Sequence, residues 1–90
     1  MATIAEALSI AVDHHQSGRI DEAETLYRRI LDADPDQSGA LYFLGILLAQ
    51  TGRIPDAEPL VARATLNQPG VAEYHATLGK LHQALGRTAE

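Results

Sequence analysis

The chain contains no cysteine and no tryptophan, and only three tyrosines and one phenylalanine. Without cysteine, neither a disulfide framework nor a thiolate metal site can brace a small fold, and the absence suits a reducing compartment. Runs of β-branched residues are also missing, while apolar residues, mostly Ala and Leu, make up 46%. That composition leans towards helix. No segment approaches the ~18 consecutive apolar residues of a membrane helix. The N-terminal MATIAEALSIAVDHH has no Lys or Arg at its head, is interrupted by Glu6 and closed by Asp13, and so does not read as a signal peptide. These absences together point to a cytoplasmic chain. Positive charge is scarce as well: the net charge of −5 argues against nucleic-acid backbones as partners. The excess acid is concentrated in residues 4–37, where eight carboxylates face Arg19, Arg28 and Arg29. Such an imbalance can steer a basic partner to that end, or simply solvate a face.

What is present is a repeat. Gly18, Gly52 and Gly86 are 34 residues apart, as are Arg19, Arg53 and Arg87. The same interval links Ala23 with Ala57, Glu24 with Glu58, Pro35 with Pro69, and Gly45 with Gly79. A fixed period of this size marks a stacked array of two-helix units. ALYFLGILLAQ (40–50) is apolar nearly all round at helical spacing, and the Gly52 that follows supplies a left-handed stop. DEAETLYRRILDAD places Ala23, Leu26, Tyr27, Ile30 and Leu31 on one face. Asp21 and Glu24 resemble a capping box for that helix, and Asp36 a cap for the next. Pro35 and Pro69 end the second helix of each unit. Pro59, four residues after Pro55, predicts an irregular first turn. Recurrent small residues (Ala11, Gly45, Gly79, Ala23 and Ala57) predict close helix crossings.

In these spacings the chain resembles the tetratricopeptide repeat family, whose 34-residue signature runs W-x2-L-G-x2-Y, A-x3-F, P. Repeat two matches with Leu41, Leu44, Gly45, Leu48, Ala57, Val61 and Pro69. Repeat one matches with Ala7, Ile10, Ala11, His14, Ala23, Tyr27 and Pro35, and the third unit begins His75, Leu78, Gly79, His82. The aromatic positions are reduced to smaller side chains, which predicts a softer core. The resemblance implies an all-α, right-handed solenoid of antiparallel helix pairs forming one domain over 1–90. Repeat one spans 4–37, repeat two 38–71 and a partial repeat three 72–90. Five helices are expected, with the sixth cut off just as TAE begins it, as in a fragment of a longer protein.

No site for chemistry emerges. His14 and His15 point about 100° apart on a helix, and His75 and His82 lie two turns apart, too far to share one metal. Ser9, Ser17 and Ser38 lack a nucleophile elbow. The carboxylates of LDADPDQ (31–37) lack the spacing of a calcium loop. No catalytic, cofactor or metal residues are therefore assigned.

The resemblance implies binding instead, in a concave groove lined by the first helix of each unit. Carried onto this sequence, the groove residues are Leu8 and Val12, then Tyr42, Phe43, Ile46 and Ala49, then Glu73, Lys80 and Gln83. Tyr42 is the expected anchor. Chaperone-tail binders of this family clamp a carboxylate with basic residues and Asn, but the matching places here hold Leu8, Val12, Glu73 and Thr77. The Asn ladder of sugar-transferase arrays is replaced by Ser9, Phe43 and Thr77. The wording of the chain is nevertheless similar to bacterial proteins in which such an array precedes a glycosyl- or sulfotransferase-like domain. The expected function is a non-catalytic scaffold for a protein or peptide segment. An accessory arm of a larger transferase and a homo-oligomerisation module are the alternatives. Leu78, Leu81 and Leu85, left without a sixth helix, suggest self-association.

Overall fold

The structure, a computed structural model, describes residues 3–89 and their side chains as far as residue 86. Among the described residues there are five helices: α1 (Ile4–Gln16), α2 (Ile20–Ala33), α3 (Ser38–Gln50), α4 (Ile54–Asn67) and α5 (Ala72–Ala89). Their starts keep the 34-residue rhythm. Each helix packs on its sequence neighbours, and α1 also reaches α3. Because the connections are tight turns, consecutive helices run antiparallel and the pairs stack into an all-α array.

The recurrent Gly-Arg phrase is the device that ends α1 and α3. Gly18 and Gly52 take φ of +83° and +84°, a conformation that costs little only for glycine. The next amide then reaches back: Arg19 N donates to His14 O at 2.8 Å, and Arg53 N to Leu48 O at 2.8 Å. These bonds satisfy carbonyls that the helix end would otherwise orphan. Gly86 departs from the pattern. It is not left-handed, and α5 runs through it to Ala89. One contact is present at Gly52 and absent at Gly86. Thr51 Oγ1 donates to Leu47 O at 3.0 Å and Leu48 O at 3.1 Å, drawing the end of α3 closed. Leu85 stands in that place in the third unit and has no hydroxyl to do so. Thr88 and Ala89 prolong α5 instead of opening a sixth helix, and Glu90 lies outside the described residues.

Helix starts also differ from expectation. Asp21 is not a cap: α2 begins at Ile20, after Arg19, with no side-chain cap bond. Glu24 instead carries ion pairs to Arg28 at 2.9 Å and Arg53 at 2.7 Å, the second tying α2 to the turn between α3 and α4. Asp36 likewise takes Arg63 at 2.7 Å, while Gln37 Oε1 caps α3 through Ala40 N at 2.8 Å. The chain's capping box is at Thr3 and Glu6, legible in TIAE but not picked out above. α4 is unbroken from Ile54 despite Pro59. Its start shows only Asp56 N and Ala57 N sharing Arg53 O, at 3.2 and 3.1 Å.

The core lies between the helix pairs. Ala11, Ala23, Ala57 and Ala64 are wholly buried, and α3 is enclosed on most sides, with Leu41, Leu44, Leu47 and Leu48 all buried. Each such leucine contributes about 1.5–3 kcal/mol by leaving water. The small-residue crossing is confirmed at Gly45, where an added Cβ would stand 2.5 Å from Val61 Cγ2. At Gly79 the same atom would meet nothing within 4 Å. The leucine stripe of the third unit is less bare than expected. Leu81 is buried in the core and Leu78 packs against it half-buried, because α5 settles onto α4. Leu85 is half-buried as well.

Candidate functional site

Between α1 and α3 lies a hollow of about 360 Å³ lined by Val12, His15, Gln16, Phe43, Ile46 and Gln50. Val12, Phe43 and Ile46 are half-buried and form its apolar wall. They are the part of the expected groove that the structure brings together. Leu8 lies further along the same side, where α1 approaches α3 so closely that a Cβ on Gly39 would stand 2.7 Å from Leu8 Cδ2. Ala49 is half-buried against the core.

Tyr42, the expected anchor, is not available to a ligand. It is 5% exposed, and its hydroxyl donates to Glu73 Oε1 at 3.1 Å and accepts from Thr77 Oγ1 at 2.9 Å. Its ring lies on Tyr74 with centroids 4.4 Å apart. Tyr42 therefore fastens α3 to α5, and Glu73, read as a groove residue, is spent on that fastening. The reason is position: α5 lays Tyr74 over the ring, which the period alone does not foretell, since repeat two has Ala40 in that place. Burial pushes the Tyr42 hydroxyl up, with Glu73 adding to the shift and Thr77 opposing it. Burial does the same to Tyr74. Lys80 and Gln83 are exposed on α5 and take no part in the hollow.

All the chain's Tyr and Phe residues belong to one continuous stack. Tyr27 faces Phe43 at 6.4 Å, Phe43 meets Tyr42 edge-on at 5.5 Å, and Tyr42 covers Tyr74. Pairs of this kind add about 0.5–1.5 kcal/mol each beyond their burial. The stack makes Phe43 a fixed wall of the hollow. His15 extends it, meeting Tyr27 edge-on at 5.9 Å. Sequence reasoning treated His15 only as a histidine without a metal and so missed its place here. Its Nδ1 is 3.1 Å from Tyr27 Oη and its Nε2 is 2.7 Å from Gln50 Oε1. Tyr27 is fully buried, which pushes its hydroxyl up to about 12. The signal available was the period: Gln16 and Gln50 share one repeat position, with His15 beside the first.

A second, smaller hollow of about 230 Å³ opens between α1 and α2, lined by Ile4, Ala7, Leu26 and Ile30 among others. It exists because Ala7 stands where repeat two has Leu41. Elsewhere, His14 pairs with Glu22 at 3.2 Å and His82 with Glu58 at 3.1 Å. His75 Nε2 is bonded to Pro69 O at 2.7 Å. Among the described residues no three metal-ligating side chains cluster, and no helix is long and apolar enough to cross a membrane.

Comparison with known proteins agrees with this architecture. No curated protein matches the chain. Among solved structures, a mutant O-GlcNAc transferase from Thermobaculum terrenum is similar, with a TM-score of 0.83 and 36% sequence identity. The similarity covers 90% of this chain and 16% of that one, so the chain spans a small part of the enzyme's length. The family model for the tetratricopeptide repeat matches residues 14–81. With its period, its left-handed glycine turns and its stacked helix pairs, the chain belongs to the tetratricopeptide repeat family.

Proposed function

We propose that the chain is a non-catalytic interaction module that holds a segment of another protein in the hollow between α1 and α3. Repeats of this family generally mediate protein–protein contact. The observation that carries the reading here is the half-buried apolar wall of Val12, Phe43 and Ile46, braced from behind by Tyr27 and edged by His15, Gln16 and Gln50. An apolar floor with a few polar groups at its edge is the usual make-up of a peptide-binding surface. Ile46→Asp places a charge in that wall at a half-buried position on the edge of the core. It should abolish enrichment of peptides from a displayed random library while leaving the circular dichroism spectrum unchanged. Equal enrichment on wild type and variant would refute the assignment.

The resemblance to part of an O-GlcNAc transferase favours a second reading, in which the module serves as an accessory arm of a larger transferase. The reading frame of the parent gene separates the two: a glycosyltransferase domain in frame with the array supports the arm, and repeats alone support a free scaffold.

A further inference from the structure

One face of α4 departs from the repeat without a reason inside the fold. Pro55, Pro59, Ala62 and Leu66 recur at spacings of four, three and four residues. At 3.6 residues per turn the four share an arc of about 60°. That arc lies opposite the buried Ala57, Val61 and Ala64. Leu66 is 81% exposed, both prolines are exposed and Ala62 is half-buried. The same places in α2 hold Asp21, Thr25, Arg28 and Asp32, all exposed and polar. The stack itself therefore does not require an apolar surface here. Pro59 sharpens the point. Inside a helix it forfeits the bond to the carbonyl four residues back, and its ring fills no part of the core.

We infer that this face is the contact between two copies of the chain, paired antiparallel along α4 about a two-fold axis. The stripe fits its own reverse. With the axis midway between Pro59 and Ala62, Pro59 of one copy meets Ala62 of the other, and Leu66 meets Pro55. Charge selects a second copy as the occupant. Asp56 and Arg63 flank the stripe on the same side, a heptad apart and opposite in sign. In an antiparallel pair each flank meets its own kind, so Asp56 of either copy comes beside Arg63 of the other, within about 3 Å of the same height. Both groups are open to this. The Asp56 carboxylate has no side-chain hydrogen bond or ion pair among the described residues. Arg63 binds Asp36 through Nε and Nη2 and leaves Nη1 unused. On the other flank Glu58 is taken by His82. Antiparallel pairing also sets the two helix dipoles head to tail. A contact of one helix pair is smaller than a standard interface, so the dimer is weak, with a Kd of roughly 0.1 mM. The hollow lies between α1 and α3, and this contact stands apart from it.

Sedimentation equilibrium of the 90-residue protein tests this, with circular dichroism confirming the helix content of each variant. Over about 10 µM to 1 mM the protein should pass from monomer to dimer. Leu66→Asp installs the residue that repeat one carries at this place, so the fold should tolerate it. It should weaken the dimer at least about tenfold. Asp56→Lys sets like charges against Arg63 and should also weaken it, more at low salt than at high. Ile46→Asp, in the hollow, should leave the dimer unchanged. Monomer across the whole range would overturn the inference, as would a dimer that keeps its affinity in Leu66→Asp. Loss in Leu66→Asp with indifference to Asp56→Lys would overturn the antiparallel pairing, and the inference with it. A dimer lost in Ile46→Asp would move the contact into the hollow and overturn it too.

Discussion

Gly45 and Gly79 occupy the same repeat position, yet alanine should act in opposite directions at the two. At Gly45 the new Cβ would stand 2.5 Å from Val61 Cγ2 and 3.4 Å from Ala57 O. Carbon atoms pack comfortably at about 3.5–4.0 Å, so the overlap with Val61 is about 1 Å or more. Val61 has little freedom to yield: it is wholly buried, and a β-branched side chain in a helix is held to one rotamer. α3 and α4 must separate instead, at a cost near the upper end of the roughly 1–3 kcal/mol of overpacking. Against this, Gly→Ala in a helix gains about 1 kcal/mol. The net loss for Gly45→Ala is about 1–2 kcal/mol, and at about 4–8 °C per kcal/mol Tm should fall clearly. Gly79→Ala meets nothing within 4 Å and keeps only the gain, so its Tm should rise. Thermal melts followed by circular dichroism measure both. In a Val61→Ala background the Cγ2 contact is gone and Gly45→Ala should become stabilising, a coupling of about 0.5–3 kcal/mol in the double-mutant cycle. A Gly45→Ala protein that melts as high as Gly79→Ala would refute the close crossing.

Two further tests address the turns and the ion pairs. Gly52→Ala forces a side chain into φ +84° and should cost about 1–2 kcal/mol, whereas Gly86→Ala, inside α5, should be neutral or stabilising; comparable losses at both sites would mean Gly86 shares the turn. The Arg53 guanidinium, and then Arg28, hold the Glu24 carboxyl below its ordinary value of 4.5, against the opposing effect of burial. A depressed carboxylate stabilises fully above its unfolded value and loses that contribution as pH falls through the folded one. The advantage of wild type over Glu24→Gln in urea melts should therefore be full at neutral pH and vanish in acid below 4.5. A pH-independent difference would remove the ion pair as its cause.

The period made the helices legible because it records what stacking requires: a small residue at each crossing, a glycine at each reversal, an apolar stripe between. It could not show which of several polar residues near a helix start becomes the cap. At the start of α3 both Asp36 and Gln37 are suitable; Gln37 caps it, while Asp36 pairs with Arg63 across the stack. The lining of the hollow was legible only in part for the same reason. Val12, Phe43 and Ile46 could be placed on one side of the stack because they follow the repeat. Tyr42 was misplaced because its burial is decided by Tyr74, a residue its own unit does not contain at that position. His15 was missed because its role depends on two partners from other helices, Tyr27 and Gln50.

A repeat position thus fixes a location in the brick, while the neighbouring brick fixes what the side chain does there. One row shows this across the whole stack. In α3 it reads Ala40, Leu44, Leu47, all buried, and in α5 Tyr74, Leu78, Leu81, buried or half-buried. Both helices have another helix before them to pack upon. In α1 the same row reads Glu6, Ile10, Asp13, and all three are exposed. Two acids are tolerable there because water, not a leucine face, is what they meet, and at Leu47 or Leu81 either would be a buried unpaired charge. The hollow shows the converse: Gln16 and Gln50 share a repeat position, but only Gln50 has a histidine from the preceding unit to aim it. Orientation of the Gln50 carboxamide is a property of the pair of units, which is why a single repeat would carry the residue without the bond that aims it.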